Sequence, residues 1–316
     1  MTGLPSVGLI SHGTSSPPGQ VLIEVLAAEI ATDLRIRGIA DEVMLGHVDV
    51  QKPDVDEVIA RLPAGRPVIL VPLLLSPGYH VHVDLAEAAE RAEAAERAER
   101  MVPNGGGDPD VGSWRGVRRA PTLGPDPRLA EILADRLPPL RDNDAVILAA
   151  AGSSDERANE SCREMGRLLA AELDRPVEVG FLAGGGALLK DLVDESRSRG
   201  ARPVLANYLL APGFFDDLAR ELVAGGAKRG GAKIRGARGG SGTSGVLSPP
   251  LLTDGSAAPS IPHQLIDIVR DRVREGIRSC AQNGGPGVGA KDVADAHGRE
   301  RAHSQPDCSA PQVLNA

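Results

Sequence analysis

Four histidines and one aspartate stand where this sequence could do metal or proton chemistry: His12, His47, His80, His82 and Asp49. His12 follows the apolar run VGLIS (7–11), and His80 and His82 come soon after PVILVPLLL (67–75). His47 and Asp49 lie two apart in EVMLGHVD (42–49), which puts them on one face of a strand, with Asp49 closing it. Two imidazoles with a carboxylate suit borderline divalent metals such as Fe2+, Co2+ or Ni2+. They also supply bases that titrate near neutral pH. Taken singly, each has an ordinary reading. A histidine after a strand is a hydrogen-bonding residue, an aspartate before a helix is a cap, and His47 is the most structural of the set.

The set gains meaning from an internal repeat. VGLISHGTSS (7–16) returns as VILAAAGSSD (146–155), with Ala151 in place of His12. LLLSPGYHVHVDLA (73–86) returns as YLLAPGFFDDLARE (208–221), with Phe215 for His80 and Asp217 for His82. The counterpart of Asp49 is Ala183. A packing role does not predict that all three polar groups vanish while the frame stays; one shared site in the first copy does.

The positioning elements alternate. The first copy reads as a strand at 7–11, a helix at 20–37, a strand at 42–49 and a helix at 53–62 opening on Pro53. A doubly covered strand at 67–75 and a charged helix at 84–100 follow, and 118–137 supplies a strand, a turn and a closing helix. The second copy repeats this order from 145 to about 278, with strands AVILAAA, PVEVGFL and PVLANYLL. Alternating β and α implies an open parallel sheet in each copy, with ligands beyond the carboxyl ends of the strands. The expected organisation is a first lobe at 1–141, a degenerate second lobe at 142–280 and a disordered tail at 281–316. The excursion at 103–112 and the Gly-, Arg- and Lys-rich insertion at 225–245 read as surface loops.

Composition removes several classes. The 316 residues would hold roughly two domains. A net charge of -8 disfavours nucleic acid. Cys162, Cys280 and Cys308 form no CxxC or paired framework, the N-terminal stretch has no signal-peptide pattern, and no apolar run reaches membrane-spanning length. A soluble, cytoplasmic protein with no membrane partner is expected. The chain carries no GxxxxGK[ST], no GxGxxG after the first strand and no GxSxG, so neither a nucleotide nor a hydrolase elbow is expected. GGG at 184–186 reads as a turn. The tail pair His297 and His303 is weak support for a metal site.

SHGT after the first strand, VMLGHVDVQKPDVDEVI, VPLLLSPGYHVHVDL and APTLGPDPRLAEIL, in that order, resemble the sirohydrochlorin chelatases, small class II chelatases of cobalamin and siroheme synthesis. The resemblance covers 6–140 and 145–278. It implies two flavodoxin-like lobes facing each other across a cleft, and ATP-independent insertion of Co2+ or Fe2+ into a sirohydrochlorin-type tetrapyrrole. His12 and His80 map onto the family's metal-holding, proton-accepting histidines. Asp49 maps onto its acidic residue, one methylene shorter than the usual glutamate. Ser11, Gly13, Thr14, Ser76, Gly78, Tyr79 and His82 flank these and are expected against the substrate. Two departures bear on substrate carboxylates: His82-Val83 stands where the family often has a basic pair, and Ser15-Ser16-Pro17 where it often has an arginine. Helix-start amides, His82 or the 225–245 insertion would then anchor them. One chain supplies both lobes, so a monomer suffices, and a homodimer is compatible. The alternatives are a non-catalytic metal or tetrapyrrole carrier on the same fold and, with less support, an α/β metallohydrolase, which needs more carboxylates.

Overall fold

The computed structural model describes residues 3–100, 116–224, 244–255 and 259–282, without the side chains of 79–84, 96–100 and 280–282. The excursion at 103–112, nearly all of the 225–245 insertion and the tail from 283 lie outside them. The first half runs β1 (Ser6–Ser11), α1 (Pro17–Ile36), β2 (Val43–His47), α2 (Val55–Arg61), β3 (Val68–Pro72), α3 (Tyr79–Arg100), β4 (Val117–Arg119) and α4 (Pro127–Arg136). The second runs β5 (Asp144–Ala150), α5 (Glu156–Leu173), β6 (Val177–Phe181), α6 (Leu189–Ser198), β7 (Arg202–Tyr208), α7 (Phe214–Val223), β8 (Val246–Leu247) and α8 (His263–Gln282). Two four-stranded sheets result, ordered β2-β1-β3-β4 and β6-β5-β7-β8. Every strand pairing is parallel. This is the expected α/β fold of two tandem flavodoxin-like lobes.

Each central strand is apolar because helices cover both of its faces; β1 and β3 are buried at every residue. On α1, Leu22, Ile23, Leu26, Ala27, Ile30, Ala31 and Leu34 recur every three or four residues and are buried, giving the helix one core-facing stripe.

Several boundaries differ from the sequence reading, β3 ending at Pro72 rather than 75 among them, and two of the differences move candidate residues. Strand β2 ends at His47, so Asp49 lies two residues beyond it and does not share its pleat. Helix α3 begins at Tyr79 instead of 84, because nothing between Gly78 and the alanine-rich stretch breaks it, and His80 and His82 stand in its first turn. Helix α1 begins at Pro17, where a proline at the first helical positions sacrifices no helical hydrogen bond. Pro53 does not open α2. Asp54 caps it, accepting from the Glu57 amide at 2.9 Å while Glu57 accepts from the Asp54 amide at 3.0 Å.

The terminal helix of each half packs outside its own sheet. Helix α4, expected to close the first lobe, lies on α5 and β7 of the second. Helix α8 lies on α1, α4, β3 and β4 of the first. The inner faces of the two sheets therefore merge into one apolar core, holding Ile69, Val71 and Leu73 together with Ile268, Val269 and Val273. The outer faces keep separate cores, one under α2 and α3, the other under α6 and α7. Polar ties cross with the helices. Arg272 donates to the Thr122 carbonyl at 2.9 Å, Arg136 to that of Leu251 at 2.8 Å, and Arg128 bridges Asp126 and Asp271. Among the described residues no helix is long and apolar enough to cross a membrane.

Candidate functional site

The chain leaves β1 and β2 side by side, and beyond the strands it continues to pair. The Val48 amide donates to the Ser11 carbonyl at 3.0 Å, and the Asp49 amide donates to that of His12 at 2.9 Å. His12 and Asp49 are thereby adjacent at the carboxyl edge of the first sheet. Gly13 makes this crossing physically allowed. Its φ is +94°, and a Cβ there would stand 1.9 Å from the Asp49 carbonyl oxygen.

Polar side chains set this turn. The Thr14 amide donates to Gln51 Oε1 at 2.9 Å, and Gln20 Nε2 donates to the Thr14 carbonyl at 2.7 Å. Thr14 Oγ1 accepts from the Ser16 amide at 3.1 Å. Ser11, expected against the substrate, is buried, and its hydroxyl is engaged behind the edge: Oγ lies 2.7 Å from His47 Nδ1 and accepts from the Gly13 amide at 3.2 Å. His47 is buried as well, and that burial holds its pKa below the usual imidazole value although the Glu24 carboxylate pulls the other way. It is the structural histidine its position in the strand suggested. His12 is half-buried at the edge, and Asp49 is exposed, with Oδ1 accepting from the Val50 amide at 2.7 Å.

The second copy rebuilds the same frame without these groups. Leu182 donates to the Ala150 carbonyl at 2.9 Å and Ala183 to that of Ala151 at 2.8 Å. Gly152, at φ +86°, would place a Cβ 1.8 Å from the Ala183 carbonyl oxygen. Asn159 Nδ2 donates to the Ser153 carbonyl at 2.9 Å, as Gln20 does to Thr14. The turn is thus specified by backbone pairing, a positive-φ glycine and a helix-borne amide in both copies, and His12 and Asp49 are additions to it.

The third strand end brings His80. Residues 73–78 lead from β3 into α3, and the second half grips them. Tyr208 Oη donates to the Leu75 carbonyl at 2.8 Å, and Cys162 hydrogen-bonds Ser76. Burial drives the Tyr208 phenol well above its ordinary pKa and pushes the Cys162 thiol up to about 11, so both keep their protons near neutrality. Gly78 precedes the first turn of α3; the side chains of Tyr79, His80 and His82 lie outside the described residues. The first turn of α7 is the repeat's counterpart, with buried Phe215 at the position of His80. The loops also touch across the halves: a Cβ on Gly19 would meet the Pro212 carbonyl oxygen at 2.6 Å, and one on Gly213 would meet Thr14 Oγ1 at 3.6 Å. Among the described residues no three His, Cys, Asp or Glu side chains group closely enough to hold a metal.

Gln51, Gln20 and Tyr208 were not singled out from the sequence, and Cys162 stood there only as an unpaired cysteine. Gln20 and Asn159 hold equivalent places in the repeat, and that alignment was the available signal. Tyr208 had none.

Two parallel sheets with matching carboxyl-edge turns, one bearing His12 and Asp49, define a tandem two-lobed protein of the chelatase type. Residues 6–139 and 145–238, together more than half of the chain, match the CbiX family model. The chain belongs to the CbiX family, the sirohydrochlorin chelatase family that its motifs resemble, in tandem form. The second match ends at 238, short of the expected 278. No curated protein matches the sequence. Among solved structures the chain is similar to SirB from Bacillus subtilis with Fe3+, at 18% identity and TM-score 0.62, over 88% of this chain and 98% of that one. The sirohydrochlorin chelatase SirB from Bacillus subtilis subspecies spizizenii in complex with cobalt is similar at 18% identity and TM-score 0.58, over 89% and 98%. DR2241 from Deinococcus radiodurans, a multi-domain protein with structural similarity to chelatases, gives 23% identity and TM-score 0.53, over 87% and 55%. At these identities the likeness is one of fold.

Proposed function

We propose that this protein is a sirohydrochlorin chelatase that inserts Co2+ or Fe2+ into a sirohydrochlorin-type tetrapyrrole without ATP, with one active site per chain. The observation that carries this reading is the paired frame: the two copies build the same edge turn, and only the first furnishes it with His12 and Asp49.

The reaction exchanges two pyrrole protons for one divalent metal. His12 and His80 present the metal and accept the protons, and Asp49 orients an imidazole or helps strip water from the ion. Ligation by two imidazoles and one carboxylate leaves coordination positions open for the incoming macrocycle nitrogens, and it is weak enough for the metal to be handed over. Gly13, Thr14, Ser76 and Gly78 belong to the loops, and Tyr79 and His82 to the first turn of α3, on which the substrate rests. Ser11 acts from behind by fixing His47 and the Gly13 amide. A buried free thiol at Cys162 suits a reducing, cytoplasmic compartment.

The test is anaerobic insertion into sirohydrochlorin, with Co2+ and with Fe2+ at matched free concentrations, by wild type, His12→Ala and His80→Ala. Loss of about a hundred-fold or more in each variant is expected. Wild-type rates in His80→Ala would sink the assignment. The carrier reading gains from the missing family basic residues. Tight stoichiometric binding with no second turnover would establish it instead.

A further inference from the structure

Three large apolar side chains stand exposed between the carboxyl edges of the two sheets and the helices that follow: Val50, Leu188 at the N-cap of α6 and Phe214 at the start of α7. Two of them belong to the second half, which has lost the polar site residues. Phe214 is 67% exposed in a chain where aromatics make up only 2% of residues. It is held in place from beneath. Phe215, buried at the position of His80, meets it edge to face with ring centroids 5.3 Å apart and an interplanar angle of 71°. Gly213, immediately before it, approaches Thr14 and Ser16 of the turn that begins at His12.

Leu188 is 45% exposed and occupies the N-cap of α6. Its counterpart is Asp54: both bridge to the last residue of the preceding strand, His47 with Asp54 and Phe181 with Leu188. Asp54 caps α2, whereas Leu188 makes no capping hydrogen bond. A leucine there forgoes a helix cap and gains little burial, so packing does not account for it. The strands that lead to Leu188 and Phe214, β6 and β7, both pair with β5, so the two residues follow neighbours on either side of the second sheet's central strand.

We propose that Leu188 and Phe214 form an apolar wall on the second lobe that takes the face of the tetrapyrrole macrocycle, while the first lobe supplies the metal. This rests on the chelatase reading and names what the degenerate copy contributes. Its lost histidine has become the buried buttress of a stacking platform. Aromatic stacking and apolar contact act on the ring in substrate and product alike, so they set affinity and leave the insertion step itself unchanged.

The experiment follows Co2+ insertion and the binding of metal-free sirohydrochlorin, read by the macrocycle's own absorbance, in wild type, Phe214→Ala, Phe214→Trp and Leu188→Ser. Phe214→Ala should raise KM for sirohydrochlorin about ten-fold with kcat little changed, and Phe214→Trp should restore it. Leu188→Ser restores a capping residue, so it should keep or raise the melting temperature and still raise KM. Wild-type turnover with unchanged KM in Phe214→Ala and Leu188→Ser overturns the wall and leaves the chelatase reading standing. A wild-type protein that neither binds nor metallates sirohydrochlorin overturns both.

Discussion

Tyr208, the last residue of β7, donates its hydroxyl hydrogen to the carbonyl oxygen of Leu75 at 2.8 Å, so a residue of the second half holds the segment that carries His80 in the first. Phenylalanine at 208 keeps the ring and removes the donor, leaving a partly buried carbonyl without its partner. The expected cost is about 1–2 kcal/mol of stability. Because the loosened segment leads into His80, kcat for insertion should also fall several-fold. A substitution of matched stability cost on the outer face of α6 should leave kcat alone, and comparing the two variants separates positioning from general destabilisation.

Gly13→Ala and Gly152→Ala make the same steric error in the two copies, since each puts a Cβ within 2 Å of a carbonyl oxygen at positive φ. Both should lose several kcal/mol in chemical denaturation. Any variant that still folds will differ in activity: Gly13→Ala displaces His12 from Asp49, whereas Gly152→Ala disturbs a turn with no reactive side chain. Equal residual activity per folded molecule would contradict the placement of the site in the first copy.

Removing α8 should unfold the first half although the helix comes last in sequence. Leu265, Ile268, Val269 and Val273 are fully buried in the shared core, and at roughly 1.5–3 kcal/mol each their loss rivals the total stability of a typical domain. A chain ending at 262 should lose cooperative unfolding of the first sheet, seen as early hydrogen exchange in β1 and β3. A milder variant is Gly276→Val. Gly276 packs so closely that a Cβ there would lie 2.6 Å from Ile69 Cγ2, and overpacking should cost about 1–3 kcal/mol.

His47 makes stability depend on pH. An unfolded imidazole takes up its proton near 6.5, whereas burial delays protonation of the folded His47 to lower pH. Between those values the unfolded chain binds more protons. The contribution is therefore full above about pH 6.5 and is lost as the pH falls through the folded value. Melting temperatures at pH 7.5 and 5.0 should show a larger acid loss for wild type than for His47→Gln. An identical loss would mean that His47 does not titrate differently on folding.

The repeat, the strand cores and the carboxyl-edge position of His12 were all legible from residue order, because apolar runs and three- to four-residue spacing reflect local burial directly. VGLIS and VILAAA became β1 and β5, and the alanine opposite His12 marked which copy lacks that imidazole. The start of α3 was not legible. YHVHVD has neither a strong helix bias nor a breaker, and only packing decides such a segment. Ser11 shows the same limit: a serine beside a reactive histidine reads as a substrate contact until the fold buries its hydroxyl against His47.

The amino-acid order alone establishes two copies of one α/β unit with unequal polar equipment. Tertiary structure alone decides that the copies cannot be separated. Periodicity shows that a face of α4 or α8 is buried, but the pattern is the same whichever sheet lies beneath it, so the exchange of these helices leaves no trace in the sequence. The Tyr208–Leu75 hydrogen bond is equally silent, because a backbone carbonyl accepts from any donor and its own residue type records nothing. Such contacts join positions 133 residues apart, and they tie the second half to the segment that leads into His80.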